Sequence, residues 1–155
     1  MSDTNFDRTK NWLLASLEGA GRPVDKAAFG VQLGCFLEEV AELVSAVEFG
    51  GQIPNSEICA DIVYVAGLLK KQIATVSGAH AVDLADAIAD VKVTVDGLAS
   101  IARFDQNGID NEVLLKNDEK LVDGKPVILD DGKIGKPQGW KSPDLKPFVV
   151  DCLFG

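Results

Sequence analysis

Two clusters of carboxylates stand in otherwise apolar sequence, and they restrict how this chain can fold. The first cluster is Glu38, Glu39 and Glu42, and the second is Asp83, Asp86 and Asp90. Between Ala27 and Val91 there are nine acidic residues and only two bases, Lys70 and Lys71. Because unpaired carboxylates are costly to bury, the fold must either leave these acids in water or gather them around a cation.

The spacing within each cluster places its acids on one face of a helix. At about 100° per residue, Glu38 and Glu42 fall about 40° apart, and Asp83 and Asp90 nearly eclipse. Two such helices side by side would direct five or six carboxylates into one volume, which suits two or three divalent ions. The alternative is a solvated acidic face, but such faces usually carry lysine or arginine four residues away. The flanking positions here are apolar or small.

Length and composition favour one globular domain over residues 1–155. The net charge of −9 argues against a general affinity for nucleic acid or anionic membranes. No apolar run reaches the roughly 18 residues of a membrane span, and no signal sequence is recognisable. Three cysteines without a CxxC motif fit a reducing compartment. We therefore expect a cytoplasmic protein with no nucleic-acid or membrane partner.

Hydrophobic periodicity predicts an all-α fold, a bundle of four to five helices. The predicted helices span about Phe6–Leu17, Lys26–Phe49, Ser56–Val76, Ala81–Ala102 and Glu112–Leu121. The apolar stripe of the second helix is Leu33, Leu37, Val40, Val44 and Val47, and that of the fourth is Leu84, Ile88, Val91, Val95 and Leu98. Since apolar residues occupy more than one face, a homodimer or a dimer of dimers is predicted.

The C-terminal part of the chain has a different character. Residues Lys125–Ile134 alternate around the dipeptide Asp131-Gly132, a strong signal for a β-hairpin. Seven of the fifteen basic residues fall in Lys116–Lys146, and all seven are lysines. The sequence thus predicts an acidic helical body, about residues 1–121, followed by a lysine-bearing hairpin and loop, about residues 122–155.

Several common sites do not fit these residues. A ferritin-type di-iron bundle needs Glu-x-x-His pairs, and His80, the one histidine, lies in no such motif. The segment Asp105–Asp110 is not an EF-hand, because its glycine is misplaced and Lys116 stands where the bidentate glutamate belongs. Neither a P-loop nor a GxGxxG motif is present.

The acidic clusters and the lysine-bearing tail form a specific pattern together. It comprises segments 32–43, 83–97 and 108–110, followed by Glu112-Val113, Asn117, Lys120, Asp123-Gly124-Lys125-Pro126, Asp131-Gly132-Lys133, Lys136-Pro137 and Pro143-Asp144-Leu145. In this pattern the chain resembles the MazG-like, all-α nucleoside triphosphate pyrophosphohydrolase superfamily. The tail resembles its phage-type and phosphoribosyl-ATP-pyrophosphohydrolase-like branch.

The resemblance implies a hydrolase that cleaves nucleoside triphosphates between the α- and β-phosphates with two or three Mg²⁺ ions, for which Mn²⁺ could substitute. By position, the residues that match metal ligands are Glu38, Glu42, Asp83 and Asp86, with Asp90 a further acid that is a ligand or contacts one. Glu39 matches the residue that orients or deprotonates the attacking water. The residues expected to contact substrate are Asn117 and Lys120, with Lys133 and Lys136 approaching the phosphates.

The leading hypothesis is therefore a Mg²⁺-dependent nucleotide pyrophosphohydrolase, with a deoxynucleotide such as dUTP or dCTP as substrate. Two alternatives stay open. One is phosphoribosyl-ATP pyrophosphohydrolase, which performs the same chemistry on another nucleotide. The other is a non-catalytic helical module that binds nucleotide or metal.

Overall fold

The computed structural model describes residues 4–47, 54–75, 77–128 and 134–153. In these residues five α-helices accompany one small antiparallel sheet, which confirms the predicted all-α fold with a short C-terminal appendage. The helices are α1 (Asn5–Gly19), α2 (Lys26–Ser45), α3 (Asn55–Leu69), α4 (Ala81–Ala102) and α5 (Gln106–Asp118), and the strands are β1 (Leu121–Val122) and β2 (Lys125–Pro126). None of the described helices is long and apolar enough to cross a membrane.

The chain divides into two compact units. One contains residues 1–22 and 77–155, and therefore α1, α4, α5 and the sheet. The other contains residues 23–76, and therefore α2 and α3. The expectation of a single domain over residues 1–155 stays a prediction.

Helices α2 and α3 form an antiparallel hairpin whose fully buried residues are small. The start of α2 lies beside the end of the hairpin, where the backbone N–H of Ala74 donates to the carbonyl of Lys26 at 3.1 Å. Gly30, Gly34 and Ala41 are the buried residues of α2, and Ala66 is the buried residue of α3. Small side chains let the two backbones approach closely. Of the predicted stripe, Leu37, Val40 and Val44 are half-buried, whereas Leu33 and Val47 are exposed.

Side-chain caps fix where the helices begin. The Thr4 hydroxyl accepts from the N–H of Asp7, and the Asp7 carboxylate accepts from the N–H of Thr4, which completes a capping box at α1. The carboxylate of Asp25 accepts from the N–H of Ala28 at 2.9 Å and caps α2. Asp105 caps α5 in the same way, accepting from the N–H of Gly108 at 3.1 Å.

Three helices differ from their predicted bounds by more than two residues, and one of the differences is that α5 ends at Asp118 rather than near Leu121. α4 spans Ala81–Ala102, as predicted. α2 ends at Ser45 rather than near Phe49, and α3 ends at Leu69 rather than near Val76. α5 begins at Gln106, six residues before the predicted start, because Asp105 supplies an N-cap.

The two strands pair around the dipeptide Asp123-Gly124, which precedes the predicted turn at Asp131-Gly132 in the sequence. Leu121 pairs with Pro126 and Val122 with Lys125, around Asp123 and Gly124, which both have positive φ. Such angles are those of a type I′ hairpin turn. The predicted turn at Asp131-Gly132 lies outside the described residues, although an antiparallel bridge joins Ile128 to Ile134 on either side of it.

The predicted apolar stripe of α4 remains largely exposed. Ile88, Val91, Val95 and Leu98 are between 41% and 58% exposed, and the buried side chains of α4 are Ala99 and Ala102. An exposed stripe of this kind is the surface that a second subunit would cover. The homodimer or dimer of dimers stays a prediction.

Candidate functional site

Two of the predicted metal ligands line one cavity on the α2–α3 hairpin. Glu38 and Glu42 are one helical turn apart on α2, and both border an open cavity of about 390 Å³. The other lining residues are Ala41, Ser45, Cys59 and Val63. The Cys59 thiol donates to the carbonyl of Ala41 at 3.4 Å. Among the described residues, the side-chain oxygen donors of this cavity are therefore the carboxylates of Glu38 and Glu42 and the hydroxyl of Ser45.

Glu39 has a different environment from the two glutamates that line the cavity. Glu39 is exposed, as is Glu42, but unlike Glu42 it does not border this cavity. It precedes Glu42 by three residues on the same helix, so it lies on an adjacent part of the helix surface. Glu39 thus differs from Glu38 and Glu42 in its position relative to the cavity, and its role as the water-activating residue, which the resemblance implies, stays a prediction.

The first cluster has a basic partner, contrary to the expectation of an unpaired cluster. Lys70 donates to the carboxylate of Glu38 at 2.5 Å, and both side chains remain partly exposed. This hydrogen bond raises the pKa of Lys70 above its usual range, against the opposing effect of partial burial. Lys70 follows Glu38 by 32 residues, a separation at which spacing rules for one helix give no signal.

The second cluster lies on α4, in the other unit. Asp83, Asp86 and Asp90 are all exposed on this helix. Asp83 lies in the first turn, where a negative charge interacts favourably with the helix dipole. Its carboxylate is 3.2 Å from Nδ1 of His80, the N-cap residue. Asp83 is therefore not isolated from groups that can carry positive charge.

Each acidic cluster is thus present as a row of side chains on its own helix. Among residues 4–47, 54–75, 77–128 and 134–153, no group of three or more His, Cys, Asp or Glu side chains is arranged to hold a metal ion. The first cluster belongs to the unit of residues 23–76 and the second to the unit of α4. The joint metal site of Glu38, Glu42, Asp83, Asp86 and Asp90 stays a prediction.

Three of the four predicted substrate-contacting residues lie together in one unit. Lys120 donates to the Asn117 side-chain carbonyl at 2.9 Å. The ammonium groups of Lys120 and Lys136 lie 5.2 Å and 4.7 Å from the centre of the Trp140 ring. The fourth residue, Lys133, lies outside the described residues.

We call Asn117, Lys120, Lys136, Trp12 and Trp140 the lysine–tryptophan cluster. Trp140 is fixed by its indole N–H, which donates to the carbonyl of Lys116 at 2.9 Å. The ammonium of Lys120 also lies 6.0 Å from the centre of the Trp12 ring. Cation–π attraction holds both ammonium groups over tryptophan rings, and two positive charges at one aromatic surface favour an anionic ligand.

Sequence reasoning missed both tryptophans as site residues. Trp12 lies on α1 and Trp140 lies in the tail, so only the folded unit brings them to the same lysine. The composition offered one signal, because the chain has only two tryptophans. Trp140 is close to the predicted site residue Lys136, and Trp12 is close to the start of the chain.

Three comparisons with known proteins found no protein similar to this chain. No family model, no curated protein and no solved structure matches it. The function of this chain is therefore inferred from its own residues.

Proposed function

We propose that this chain is a Mg²⁺-dependent nucleoside triphosphate pyrophosphohydrolase that releases a nucleoside monophosphate and pyrophosphate. The observation that carries the proposal is the cavity bordered by Glu38 and Glu42, two residues that match metal ligands in the superfamily that the sequence resembles. The lysine–tryptophan cluster adds cationic groups suited to phosphates.

The donor atoms of the cavity fit magnesium better than softer metals. Carboxylate oxygens of Glu38 and Glu42 and the hydroxyl of Ser45 are hard ligands. No histidine borders the cavity, and the Cys59 thiol is engaged with the carbonyl of Ala41. Asp83, Asp86 and Asp90 would supply the remaining carboxylates for two or three ions. Bound Mg²⁺ would neutralise phosphate charge and polarise the phosphorus–oxygen bonds.

The chain's own residues divide the remaining work. Glu39, exposed and outside the cavity wall, would hold the attacking water and accept its proton. The water oxygen bonds to the α-phosphorus while the bond from that phosphorus to the bridging oxygen breaks. The electron pair leaves on pyrophosphate. Lys120 and Lys136 would offset the charge that develops on this leaving group.

A nucleotide panel tests the proposed reaction. The protein is incubated with each canonical NTP and dNTP, with dUTP and with phosphoribosyl-ATP, with Mg²⁺ and with EDTA. We expect equimolar monophosphate and pyrophosphate, highest for a deoxynucleotide such as dUTP or dCTP, and no product with EDTA. Release of orthophosphate would overturn the mechanism. A preference for phosphoribosyl-ATP would select that alternative, and tight binding without turnover would select the non-catalytic module.

Lys70 provides a test of the metal site that does not depend on activity. Because its ammonium bonds to Glu38, it competes with a metal ion for that carboxylate. A partly exposed ion pair contributes about 0.2–1 kcal/mol, so Lys70→Met should tighten Mg²⁺ binding by up to about fivefold. Titration calorimetry without nucleotide measures this change. Lys71→Met removes the same charge from the next residue, and equal Mg²⁺ affinities for the two variants would contradict the role of Glu38 as a ligand.

A further inference from the structure

An open cavity of about 740 Å³ lies between α1 and α5, inside a single unit. Its lining residues are Arg8, Asn11, Trp12 and Ala15 from α1, Asn111 and Asp118 from α5, and Leu121 from β1. The α1 residues recur at helical spacing, so one face of that helix forms a wall. The volume is within the range of about 300–1,000 Å³ that is typical of small-molecule sites.

Two exposed side-chain amides border this cavity. Asn11 on α1 and Asn111 on α5 both border it. Both side chains are exposed, so water solvates their amides and a ligand in the cavity can reach them. Each amide offers one acceptor and two donors to a ligand. Two such groups on facing helices can read the donor and acceptor pattern at the edge of a polar ring.

Trp12 supplies the aromatic part of the cavity wall. Its indole borders the cavity, and its Nε1–H is buried without a hydrogen-bond partner in the described part of the chain. Because this N–H is shielded from solvent, the ring is the part of Trp12 that a ligand in the cavity can contact. The aromatic ring favours a flat ligand, because stacking on indole works for any π-face.

The charges of the cavity balance within it. Arg8 donates to the carboxylate of Asp118 at 2.8 Å, which links α1 to α5 and pairs one positive with one negative group. A cavity with paired charges does not favour a phosphate or a carboxylate. Its ligand group should therefore be neutral, flat and rich in hydrogen-bonding atoms at the edge.

We propose that this cavity binds a nucleobase. Trp12 connects it to the lysine–tryptophan cluster, because the ammonium of Lys120 lies 6.0 Å from the Trp12 ring centre. A nucleotide with its base beside Asn11 and Asn111 would extend its phosphates towards Lys120 and Lys136. The assignment of this base to the substrate rests on the proposed function, whereas recognition of the base itself depends only on the cavity.

Binding of nucleosides without phosphate or metal tests the cavity alone. Deoxyuridine, deoxycytidine, thymidine, deoxyadenosine and deoxyguanosine are titrated into the full chain in EDTA by calorimetry, with ribose 5-phosphate as a probe that lacks a base. The matching triphosphates are titrated in parallel. We expect at least one nucleoside to bind in a 1:1 ratio, its triphosphate to bind more tightly, and ribose 5-phosphate not to compete with it.

Variants on one helix locate the binding. Asn111→Leu removes an amide from the cavity and should weaken nucleoside binding about tenfold or more. Asn107→Leu, at an exposed position on the same helix, is the matched control and should not. If Asn111→Leu fails to fold, Asn111→Asp keeps the shape and removes the amide donors. In a Trp140→Phe background Trp12 is the only tryptophan, so its emission should change when the nucleoside binds.

The outcomes separate this inference from the proposed reaction. Absence of nucleoside binding, equal affinities for the Asn111 and Asn107 variants, or competition by ribose 5-phosphate would each overturn the nucleobase site. If nucleotides are hydrolysed but any of these results is found, the proposed enzyme activity stands and the proposed nucleobase site is wrong. If nucleoside binding depends on Asn111 but no nucleotide is hydrolysed, the nucleobase site stands and the proposed enzyme activity is wrong.

Discussion

Replacement of Glu39 by Gln should lower kcat for nucleotide hydrolysis by about 10²–10⁴-fold, the usual contribution of a general base. Gln keeps the shape of the side chain but cannot accept the proton of the attacking water. The fold should be unaffected because Glu39 is exposed on α2. The measurement is kcat on the best nucleotide of the panel, with Mg²⁺ affinity determined separately by calorimetry.

The split between kcat and metal affinity distinguishes a base from a ligand. Glu39→Gln should reduce kcat with Mg²⁺ affinity nearly unchanged, since Glu38 and Glu42 remain at the cavity. Glu57→Gln is the matched control, because Glu57 is an exposed acid in the first turn of α3. An active Glu39→Gln variant, or an equal loss in Glu57→Gln, would show that the water is activated elsewhere.

Elements with strong local signals could be predicted from the sequence. The bounds of α4 could be predicted from its apolar period. The structure shows that the helix ends where Arg103 adopts the left-handed conformation at the C-cap. The early start of α5 was missed because Gly108 resembled a turn residue. In the fold, a Cβ at Gly108 would collide with the Phe148 ring, so this glycine serves packing inside the helix.

Contacts between distant residues could not be predicted in this way. The partner of Glu38 is Lys70, and the partner of Arg8 is Asp118, 110 residues along the chain. Helical spacing rules concern residues within about two turns, so they describe which acids share a face but not which base reaches them. The acidic clusters were therefore recognised, whereas the pairing of Glu38 was not.

Hydrophobic periodicity also could not predict that α2 and α3 pack through small residues. That method gives weight to large apolar side chains and therefore selected the stripe from Leu33 to Val47. The buried residues of α2 are instead Gly30, Gly34 and Ala41. A glycine contributes almost nothing to an apolar pattern, yet it allows the closest approach of two helices. The stability of the hairpin should therefore depend on positions that carry no side chain.

Gly30→Ala should destabilise the α2–α3 hairpin, by about 1–3 kcal/mol if overpacking dominates. A Cβ at Gly30 would collide with the backbone carbonyl oxygen of Gln72 and would lie 3.1 Å from that of Leu69. Backbone atoms cannot rotate away as the end of a long side chain can. The loss is large against a typical total stability of about 5–15 kcal/mol. Urea unfolding followed by circular dichroism measures it.

Gly67→Ala provides a control with the opposite expected sign. Gly67 also lies inside this hairpin, on α3, but a Cβ there would meet nothing within 4 Å. Alanine is a better helix former than glycine by about 0.5–1 kcal/mol, so Gly67→Ala should stabilise the protein. Alanine gains the same helix propensity at Gly30, so the loss expected for Gly30→Ala is what remains after this gain is subtracted from the cost of the collision. Equal stabilities for the two variants would mean that the backbones of α2 and α3 are not in close contact at Gly30.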